Sequence, residues 1–366
     1  MRAEAIVDLS AIKHNVALLK EKSGTNLLAV VKADAYGHGL VPVAKAALDA
    51  GASMLGVALL EEAITLREAG ITAPVLAWLV QPGSDYKSAI DLDIDLAAGS
   101  IRALHEIQAA STSKKARVHL ELDTGMTRGG FLSEWSQLDA SDVEGLEIVG
   151  VFSHFARADE PGEAQNTQQL ARFNEMVATL HGFGFTKVMR HISNSAATLS
   201  NPDAAHDMVR TGIAIYGLTP DVAMGSSRDF GLRPAMQLRA ALYLVKDVPA
   251  GTPVGYGATE VTSCDTKLGV VTMGYADGIP RVAKNAGVWI DGKRAPIIGR
   301  VSMDQFVVDL GPESTAKSGD WVVVFGNCSH GEYTADDWGA ASGSINYEIV
   351  TRIGPRVPRI YSAHVY

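Results

Sequence analysis

The 366-residue sequence lacks several features that would assign it at once to a class of protein. Its two cysteines, Cys264 and Cys328, form neither a disulfide framework nor a CxxC metal pair. No apolar run approaches the ~20 residues of a membrane-spanning helix, and the opening MRAEAIVDLS lacks the apolar core of a signal peptide. These absences predict a cytoplasmic protein with free thiols, no membrane segment and no metal site.

An excess of basic charge is also missing. The chain has 32 Lys and Arg against 41 Asp and Glu, interspersed, for a net charge of -9. Because nucleic-acid binding depends on basic patches, this balance argues against a nucleic-acid partner. What the chain does have is 47% hydrophobic residues, enough at this length for two domains with full cores.

From residue 26 onward, apolar runs of strand length alternate with helical periodicity. The runs lie at 27–31, 54–59, 74–79, 94–97, 117–122, 147–153, 188–192 and 208–215. Helical patterns follow several of them, at 41–50, 61–69, 85–91, 101–109 and 165–181. Eight such units favour a (β/α)8 TIM-like barrel, because the count matches closure of the sheet. The fifth to eighth units are less regular, so an open α/β sheet remains the alternative.

The pattern changes after about Leu232, where helical periodicity nearly disappears. Short β-rich runs separated by Gly, Pro and Asp-Gly pairs predict a mainly-β domain. We therefore expect a barrel domain over 10–231 and a β domain over 232–366, with a hinge at 221–233. Residues 1–9 are a candidate extra strand of the β domain. The β-rich runs lie at 236–247, 268–273, 288–290, 305–309 and 321–325.

A lysine follows the first of the barrel runs. Lys32 stands in AVVKADAYGHG, residues 29–39, directly after a buried strand. Barrel enzymes place their sites at the C-terminal ends of strands, and partial desolvation there lowers the pKa of a lysine. A neutral amine can attack a carbonyl and hold it as a Schiff base. The alternative is a lysine that caps the strand and extends to water.

Polar residues also follow the later barrel runs. A serine and backbone N–H groups after the seventh and eighth strands suit a phosphate, and an arginine suits any anionic group. Taken singly, each also has an ordinary reading as a surface salt bridge, a structural histidine or a turn residue. These residues are Arg128, His154, Ser195, Arg210, Gly212 and Ile213.

Taken together and in order, these segments resemble the alanine racemases, a family that carries pyridoxal phosphate on a lysine. The resemblance covers nearly the whole chain, and matching segments in one order argue against chance agreement. Further matching segments lie in the predicted β domain. The segments are AVVKADAYGHG (29–39), ELDTGMTR (121–128), SHF (153–155), RTGI (210–213), VGYGAT (254–259), GYADG (274–278), GRVSMDQ (299–305) and NYEI (346–349).

The resemblance implies racemisation of L- and D-alanine on pyridoxal phosphate, with two bases on opposite faces of the α-carbon. Lys32 would serve the D-face and Tyr256 the L-face. An arginine at the pyridine nitrogen cannot accept a proton, which favours reprotonation at the α-carbon over transamination. The resemblance further assigns Arg128 to the phenolic oxygen and the substrate carboxylate, and Tyr275 and Met303 to the substrate pocket. It assigns His154 and Arg210 to a hydrogen-bond chain that links Tyr256 with the pyridine nitrogen. The residues assigned to the phosphate are Tyr36, Ser195, Gly212, Ile213 and Tyr347.

The family pattern also implies a head-to-tail homodimer in which Tyr256 completes the partner's site, and a role in supplying D-alanine for peptidoglycan. The chain departs from many relatives at Glu121, where they carry a carbamylated lysine. Our hypothesis is that Glu121 supplies a fixed carboxylate that orients Arg128, without carbon dioxide. Thr211 stands where the family usually has proline, and there we expect only a small backbone effect.

Three other functions stay open at this point. A broader racemase acting on serine is one, because a single methylene discriminates by only ~1–3 kcal/mol. A pyridoxal decarboxylase of the same fold is another, but it should lack the pairing of Arg210 with Tyr256. A non-enzymatic pyridoxal-phosphate-binding protein is the third, although a pure carrier needs no second base such as Tyr256.

Overall fold

The computed structural model describes residues 1–112, 114–182 and 184–362. The chain folds into two compact units. The barrel unit comprises Ile12–Ala35 and Leu40–Leu232, and the β unit comprises Met1–Ala11, Tyr36–Gly39 and the chain from Arg233 onward. The expected C-terminal domain extends to residue 366, and its last four residues, 363–366, lie outside the described part.

The chain begins with strand β1 (Ala3–Asp8) and helix α1 (Leu9–Ser23), and the barrel follows. The barrel strands are β2 (Asn26–Val30), β3 (Met54–Val57), β4 (Val75–Ala77), β5 (Ile94–Ala98), β6 (Arg117–Glu121), β7 (Glu147–Phe152), β8 (Met189–His191) and β9 (Met208–Thr211). The helices are α2 (Lys32–Gly37), α3 (Leu40–Asp49), α4 (Leu60–Glu68), α5 (Tyr86–Asp91), α6 (Ile101–Ala110), α7 (Ala164–Gly182) and α8 (Ser195–Ser200).

The barrel strands form one parallel sheet in the order β8-β7-β6-β5-β4-β3-β2-β9. Two backbone hydrogen bonds join its ends: the Asp207 N–H donates to the Arg190 carbonyl at 3.1 Å, and the Arg210 N–H donates to the Ser193 carbonyl at 2.9 Å. The (β/α)8 barrel is therefore confirmed, and the open sheet is excluded. The fifth unit is irregular because 3-10 turns at Ser133–Gln137 and Ala140–Val143 follow β6 in place of an α-helix.

The apolar runs of the sequence correspond to strands that are buried on both faces. Leu27, Leu28 and Ala29 of β2 and all three residues of β4 are fully buried. Parallel strands covered by helices have no solvent-facing side, so their sequences read as continuous apolar runs rather than alternating ones. Because all eight strands run the same way, the residues that follow them gather at one rim of the barrel.

The β unit contains the remaining strands and two short helices. Its main sheet includes β1, which pairs antiparallel with β10 (Met236–Val248) and parallel with β18 (Arg359–Ser362). The expected β-rich runs are present as β10, β13, β14, β16 and β17. The elements are β10 (Met236–Val248), β11 (Pro253–Val254), β12 (Glu260–Val261), β13 (Thr266–Val271), β14 (Gly287–Ile290), β15 (Lys293–Pro296), β16 (Phe306–Asp309), β17 (Trp321–Phe325), α9 (Ala335–Ser342), α10 (Asn346–Thr351) and β18 (Arg359–Ser362).

The β unit is mainly β, as expected, and its two α-helices lie where helical periodicity nearly disappears from the sequence. Helix α9 is held by tertiary packing: the buried Trp338 indole N–H donates to the Val324 carbonyl at 2.8 Å, and its ring lies 6.0 Å from that of Phe306. Helices this short are marginal on their own and depend on such packing. They therefore leave little periodicity in the sequence.

Both cysteines, Cys264 and Cys328, are exposed and free. Across the described ranges, no helix combines the length and the apolar character needed to cross a bilayer.

Candidate active site

Lys32 is the first residue of α2 and lies at the carboxyl-terminal end of β2. Its Nζ is 5.9 Å from the centroid of the Trp78 ring. Burial and the positive charge of Arg128 lower the pKa of Lys32, and Glu62 acts in the opposite direction. A lysine with a lowered pKa has more of its amine in the neutral, nucleophilic form. This environment suits covalent chemistry better than it suits a solvated strand cap.

The backbone after Lys32 turns in the left-handed sense. The left-handed conformation costs an L-residue roughly 1–2 kcal/mol, so a run of four is strained. Two carboxylates hold the turn: Asp34 accepts the Leu40 N–H at 2.8 Å, and Glu62 accepts the Ala33 N–H at 2.5 Å. The turn that α2 forms after Lys32 is therefore left-handed. The four residues are Ala33, Asp34, Ala35 and Tyr36, with φ of 54°, 53°, 53° and 53°.

Arg128 is exposed and makes no hydrogen bond or ion pair with any other residue in the described ranges. Glu121 ends β6 and lies in a space that two glycines leave open: a Cβ added at Gly99 or Gly129 would approach its carboxylate oxygens to 3.4 Å or 3.2 Å. Burial raises the pKa of Glu121, and the charges of Arg210 and Arg128 act against that shift. Within the part of the chain that is described, Glu121 forms no direct ion pair with Arg128. The charge of Arg128 acts on Glu121 through space, without a hydrogen bond between them.

Arg210 is buried and lies beside His154. Its Nη2 donates to the Ser153 carbonyl at 2.6 Å and lies 3.1 Å from His154 Nδ1. Because arginine is only a donor, His154 Nδ1 must accept, so the ring carries its hydrogen on Nε2. Burial, Arg210, Arg128 and Lys32 together lower the pKa of His154 to about 3. His154 is thus a neutral imidazole with an Nε2–H to donate.

Ser195 and the start of the 3-10 turn Ile213–Tyr216 lie together after β8 and β9. The Ser195 hydroxyl accepts the N–H groups of Gly212 at 3.0 Å and of Ala214 at 3.3 Å. Ser195 and Ile213 are buried, yet their backbone N–H groups donate to no other group of the described chain. Buried N–H groups without an acceptor are costly, and a phosphate would satisfy them. These residues therefore fit the phosphate of pyridoxal phosphate, with the Gly212 N–H already committed to Ser195.

In the β unit, Tyr36 and Tyr347 face one another. Their ring centroids are 6.2 Å apart at an angle of 46°. Tyr36 is buried, and burial raises the pKa of its hydroxyl. The structure thus brings together the two tyrosines that the resemblance assigns to the phosphate. Burial thus keeps the Tyr36 hydroxyl neutral and able to donate a hydrogen bond to an anion.

Tyr256, Tyr275 and Met303 lie on the surface of the β unit. They are 70%, 42% and 53% exposed, respectively. The segments of the last two are joined, because the Tyr275 N–H donates to the Ser302 carbonyl at 3.1 Å and the Ala276 N–H to the Met303 carbonyl at 2.9 Å. Tyr256 opens a 3-10 turn, Tyr256–Ala258. Large apolar side chains grouped at a surface are typical of a binding site or a subunit interface.

Three buried residues near Arg210 were missed from the sequence: Asp95, His119 and His191. The available signal was a polar residue within an apolar strand, as with His119 between Val118 and Leu120. That signal did not show which of these residues form hydrogen bonds with one another.

A parallel barrel with a desolvated lysine after its first strand, free N–H groups after its last two, and an attached β domain defines a barrel-type pyridoxal-phosphate enzyme. Two family models cover the chain: "Alanine racemase, N-terminal domain" matches residues 7–220, and "Alanine racemase, C-terminal domain" matches residues 235–361. The chain belongs to the alanine racemase family.

Individual relatives agree with this assignment. A protein named alanine racemase from Salinispora arenicola is 51% identical over 370 residues, which cover 98% of each chain. The crystal structure of alanine racemase from a D-cycloserine-producing Streptomyces lavendulae matches with a TM-score of 0.97 at 46% identity, covering 100% of this chain and 98% of that one. The alanine racemase of Bacillus anthracis, solved with bound L-Ala-P, matches with a TM-score of 0.91 at 39% identity, covering 99% and 95%.

Proposed function

We propose that this chain interconverts L- and D-alanine with pyridoxal phosphate bound to Lys32. When bound, pyridoxal phosphate supplies an electron sink that makes the α-proton of an amino acid acidic. The observation that carries the proposal is the buried Arg210 beside His154, with no carboxylate paired to it in the described part of the chain. Arg210 is only a donor, so at the pyridine nitrogen it would leave that nitrogen unprotonated, which would favour return of a proton to the α-carbon.

Two residues move the proton in this proposal. Lys32 takes or returns it on the D-face, and Tyr256 on the L-face. His154 supports Tyr256, because its Nε2–H can donate to a phenolate oxygen while its Nδ1 accepts from Arg210. Arg128, which is exposed and unpaired in the described ranges, is available to hold the substrate carboxylate.

The remaining residues would bind the phosphate or enclose the substrate. The buried N–H groups of Ser195 and Ile213 would hold the phosphate, to which the family pattern also assigns Tyr36 and Tyr347. Tyr275 and Met303 would narrow the pocket around the substrate methyl group. Such a pocket binds alanine best and still admits some serine, because one extra polar atom changes binding only modestly. The biological role that family membership implies is the supply of D-alanine for peptidoglycan.

The activity is tested by following the optical rotation of L-alanine and L-serine incubated with the purified, cofactor-loaded protein. Racemisation of alanine is expected, with serine slower. Tyr256→Phe should abolish exchange of the α-proton of L-alanine with solvent deuterium, while cofactor binding on Lys32 remains. Undiminished exchange in that variant would show that another group serves the L-face.

We further propose that the sites are shared in a head-to-tail homodimer, with Tyr256 acting in the partner's site. The exposure of Tyr256 and Met303 on the β unit supports this, because a base must be shielded from water to act on a bound substrate. A test co-expresses Lys32→Ala and Tyr256→Phe chains with different tags and isolates the mixed dimers. Sites completed by the partner predict up to about half of wild-type activity, because one of two sites is intact. Sites built within single chains predict none.

A further inference from the structure

A line of buried polar side chains crosses the barrel interior to Arg210. Asp95 on β5, His119 on β6, His191 on β8 and Arg210 on β9 are all at most 6% exposed. Strand β7 lies between β6 and β8 in the sheet, and Gly150 on β7 pairs with His119. A Cβ at Gly150 would lie only 2.1 Å from His119 Nδ1. The glycine therefore leaves the gap through which the two imidazoles meet.

The hydrogen bonds along this line can run in only one direction. Arg210 Nη1 lies 3.2 Å from His191 Nδ1, and since arginine is only a donor, that nitrogen must accept. The His191 hydrogen is then on Nε2, which lies 2.9 Å from His119 Nδ1. His119 in turn carries its hydrogen on Nε2, 3.3 Å from Asp95 Oδ2. Every donor points from the arginine toward the carboxylate.

The line also connects Arg210, through the two imidazoles, to a carboxylate that it does not contact directly. No carboxylate forms an ion pair with Arg210 in residues 1–112, 114–182 and 184–362, and its guanidinium meets backbone carbonyls and two imidazoles. At the far end, Asp95 also accepts Arg117 Nε at 2.7 Å. Burial acts to raise the pKa of Asp95, but hydrogen bonds from His119 and Arg117 outweigh it and the net shift is down. Burial and Arg210 lower the pKa of His191 well below its usual value.

Packing fixes the middle of the line as well. The His191 ring stacks on Phe152 with centroids 5.2 Å apart and planes 11° apart, and the Arg210 guanidinium lies 5.3 Å from the same ring. Phe152 therefore restrains the plane of the imidazole and the position of the guanidinium together. With its tautomer and plane both set, His191 can direct one edge of Arg210.

We propose that Asp95, His119 and His191 form a positioning relay that fixes the orientation of Arg210 and, through it, the Nε2–H tautomer of His154. The proposal rests on the proposed function, in which Arg210 meets the cofactor and His154 supports Tyr256. The three relay residues touch neither substrate nor cofactor in this account. They set which atoms of Arg210 and His154 remain available as donors.

The isosteric substitution Asp95→Asn tests the relay. Arg117 donates from Nε to Asp95 Oδ1 at 2.7 Å and, more weakly, from Nη2 to Oδ2 at 3.3 Å, so the new amide would keep its oxygen at the shorter contact and turn its NH2 to His119. His119 Nε2 must then accept, its hydrogen moves to Nδ1, and His191 is left with a donor facing Arg210. We expect kcat to fall on the order of tenfold with KM for alanine unchanged, by analogy with other outer hydrogen-bond partners of site residues.

The direct readout is the two-bond 1H–15N spectrum of the holoenzyme labelled with 15N-histidine, assigned by single substitutions. The wild-type protein should show His119, His191 and His154 as neutral Nε2–H tautomers, and Asp95→Asn should move the His119 hydrogen to Nδ1. Asp207→Asn is the matched control, because Asp207 accepts Arg190 Nε at 2.8 Å in a second Arg–Asp pair of the barrel unit. It should leave the three tautomers and kcat at wild-type values.

An Nδ1–H tautomer or a charged ring at His119 or His191 in the wild type overturns the relay, as does an Asp95→Asn variant with wild-type kcat. If Asp95→Asn fails to fold, the wild-type spectrum still decides. The histidine spectrum needs no turnover. If the protein shows the expected tautomers but does not racemise alanine, the proposed function is wrong and the relay is still supported.

Discussion

At the scale of single residues, the chemistry depends on charges placed near Lys32. Burial and Arg128 lower the pKa of Lys32, whereas Glu62 raises it. In the proposed function, only the neutral Lys32 amine attacks the carbonyl of pyridoxal phosphate, so a lower pKa would let the cofactor bind at lower pH. Burial lowers the pKa of Lys32 most, and the opposing charges of Arg128 and Glu62 adjust the pH range in which the lysine would react.

Replacing Arg128 with Gln should shift that range upward. Loss of the positive charge raises the pKa of Lys32, so the rate at which apo-protein takes up pyridoxal phosphate should reach half its maximum at a higher pH. The measurement is the absorbance change on adding the cofactor, as a function of pH. Arg102→Gln is the control, since Arg102 pairs with Glu106 at 2.8 Å on the outside of α6. An unshifted or downward-shifted profile for Arg128→Gln would contradict this assignment of charge.

Glu121 supports a second prediction at this scale. Its carboxylate is part of the side chain, and it lies near enough to Arg128 and Arg210 for their charges to act on its pKa. Racemisation by the wild type should therefore be equally fast in carbon-dioxide-free and bicarbonate-containing buffer. Glu121→Lys should be slower without bicarbonate, because its amine would need carbamylation to become negative. A wild-type rate that falls on removal of carbon dioxide would refute the role given to Glu121.

At the scale of elements, the sequence predicted the barrel well and its exceptions poorly. Apolar runs such as 94–97 correspond to Ile94–Ala98 because a strand buried on both faces must be continuously apolar. The hand of the turn after Lys32 was not predictable, since Ala and Tyr carry no signal for positive φ and the enrichment of Asp there concerns single residues rather than a run of four. The relay was missed for a similar reason. The contact between His119 and His191 depends on the absence of a side chain at Gly150 on the strand between them.

The left-handed turn gives a prediction about stability. Ala33 has φ of 54°, a conformation that does not penalise glycine. Ala33→Gly should therefore raise the free energy of unfolding by about 1 kcal/mol and raise the melting temperature with it. Ala33→Val should lower it, because a branched side chain tolerates positive φ least. Ala109→Gly in α6 is the matched control and should destabilise by about 1 kcal/mol, since it removes an alanine from a right-handed helix. If both glycine variants lower the melting temperature equally, the turn is not strained.

At the scale of the whole molecule, the sequence predicted the family more completely than it predicted the arrangement of the site. The order of matching segments from Lys32 to Tyr347 predicted the family, and both family models agree. The spacing of the motifs does not show which side chains would act in a partner subunit. Tyr256 and Met303 are large and exposed on the β unit, although their proposed roles require a site shielded from water.

The proposed shared sites would make activity a property of the dimer. Specific activity should therefore fall on dilution in step with the fraction of dimer, measured in the same samples by mass photometry. The cofactor absorbance per chain serves as the control, because Lys32, Ser195 and Ile213 belong to the barrel unit of a single chain and should retain some cofactor after dissociation. A monomer that racemises alanine at the full rate per chain would place both bases in one subunit. It would leave the exposure of Tyr256 to be explained by some other contact.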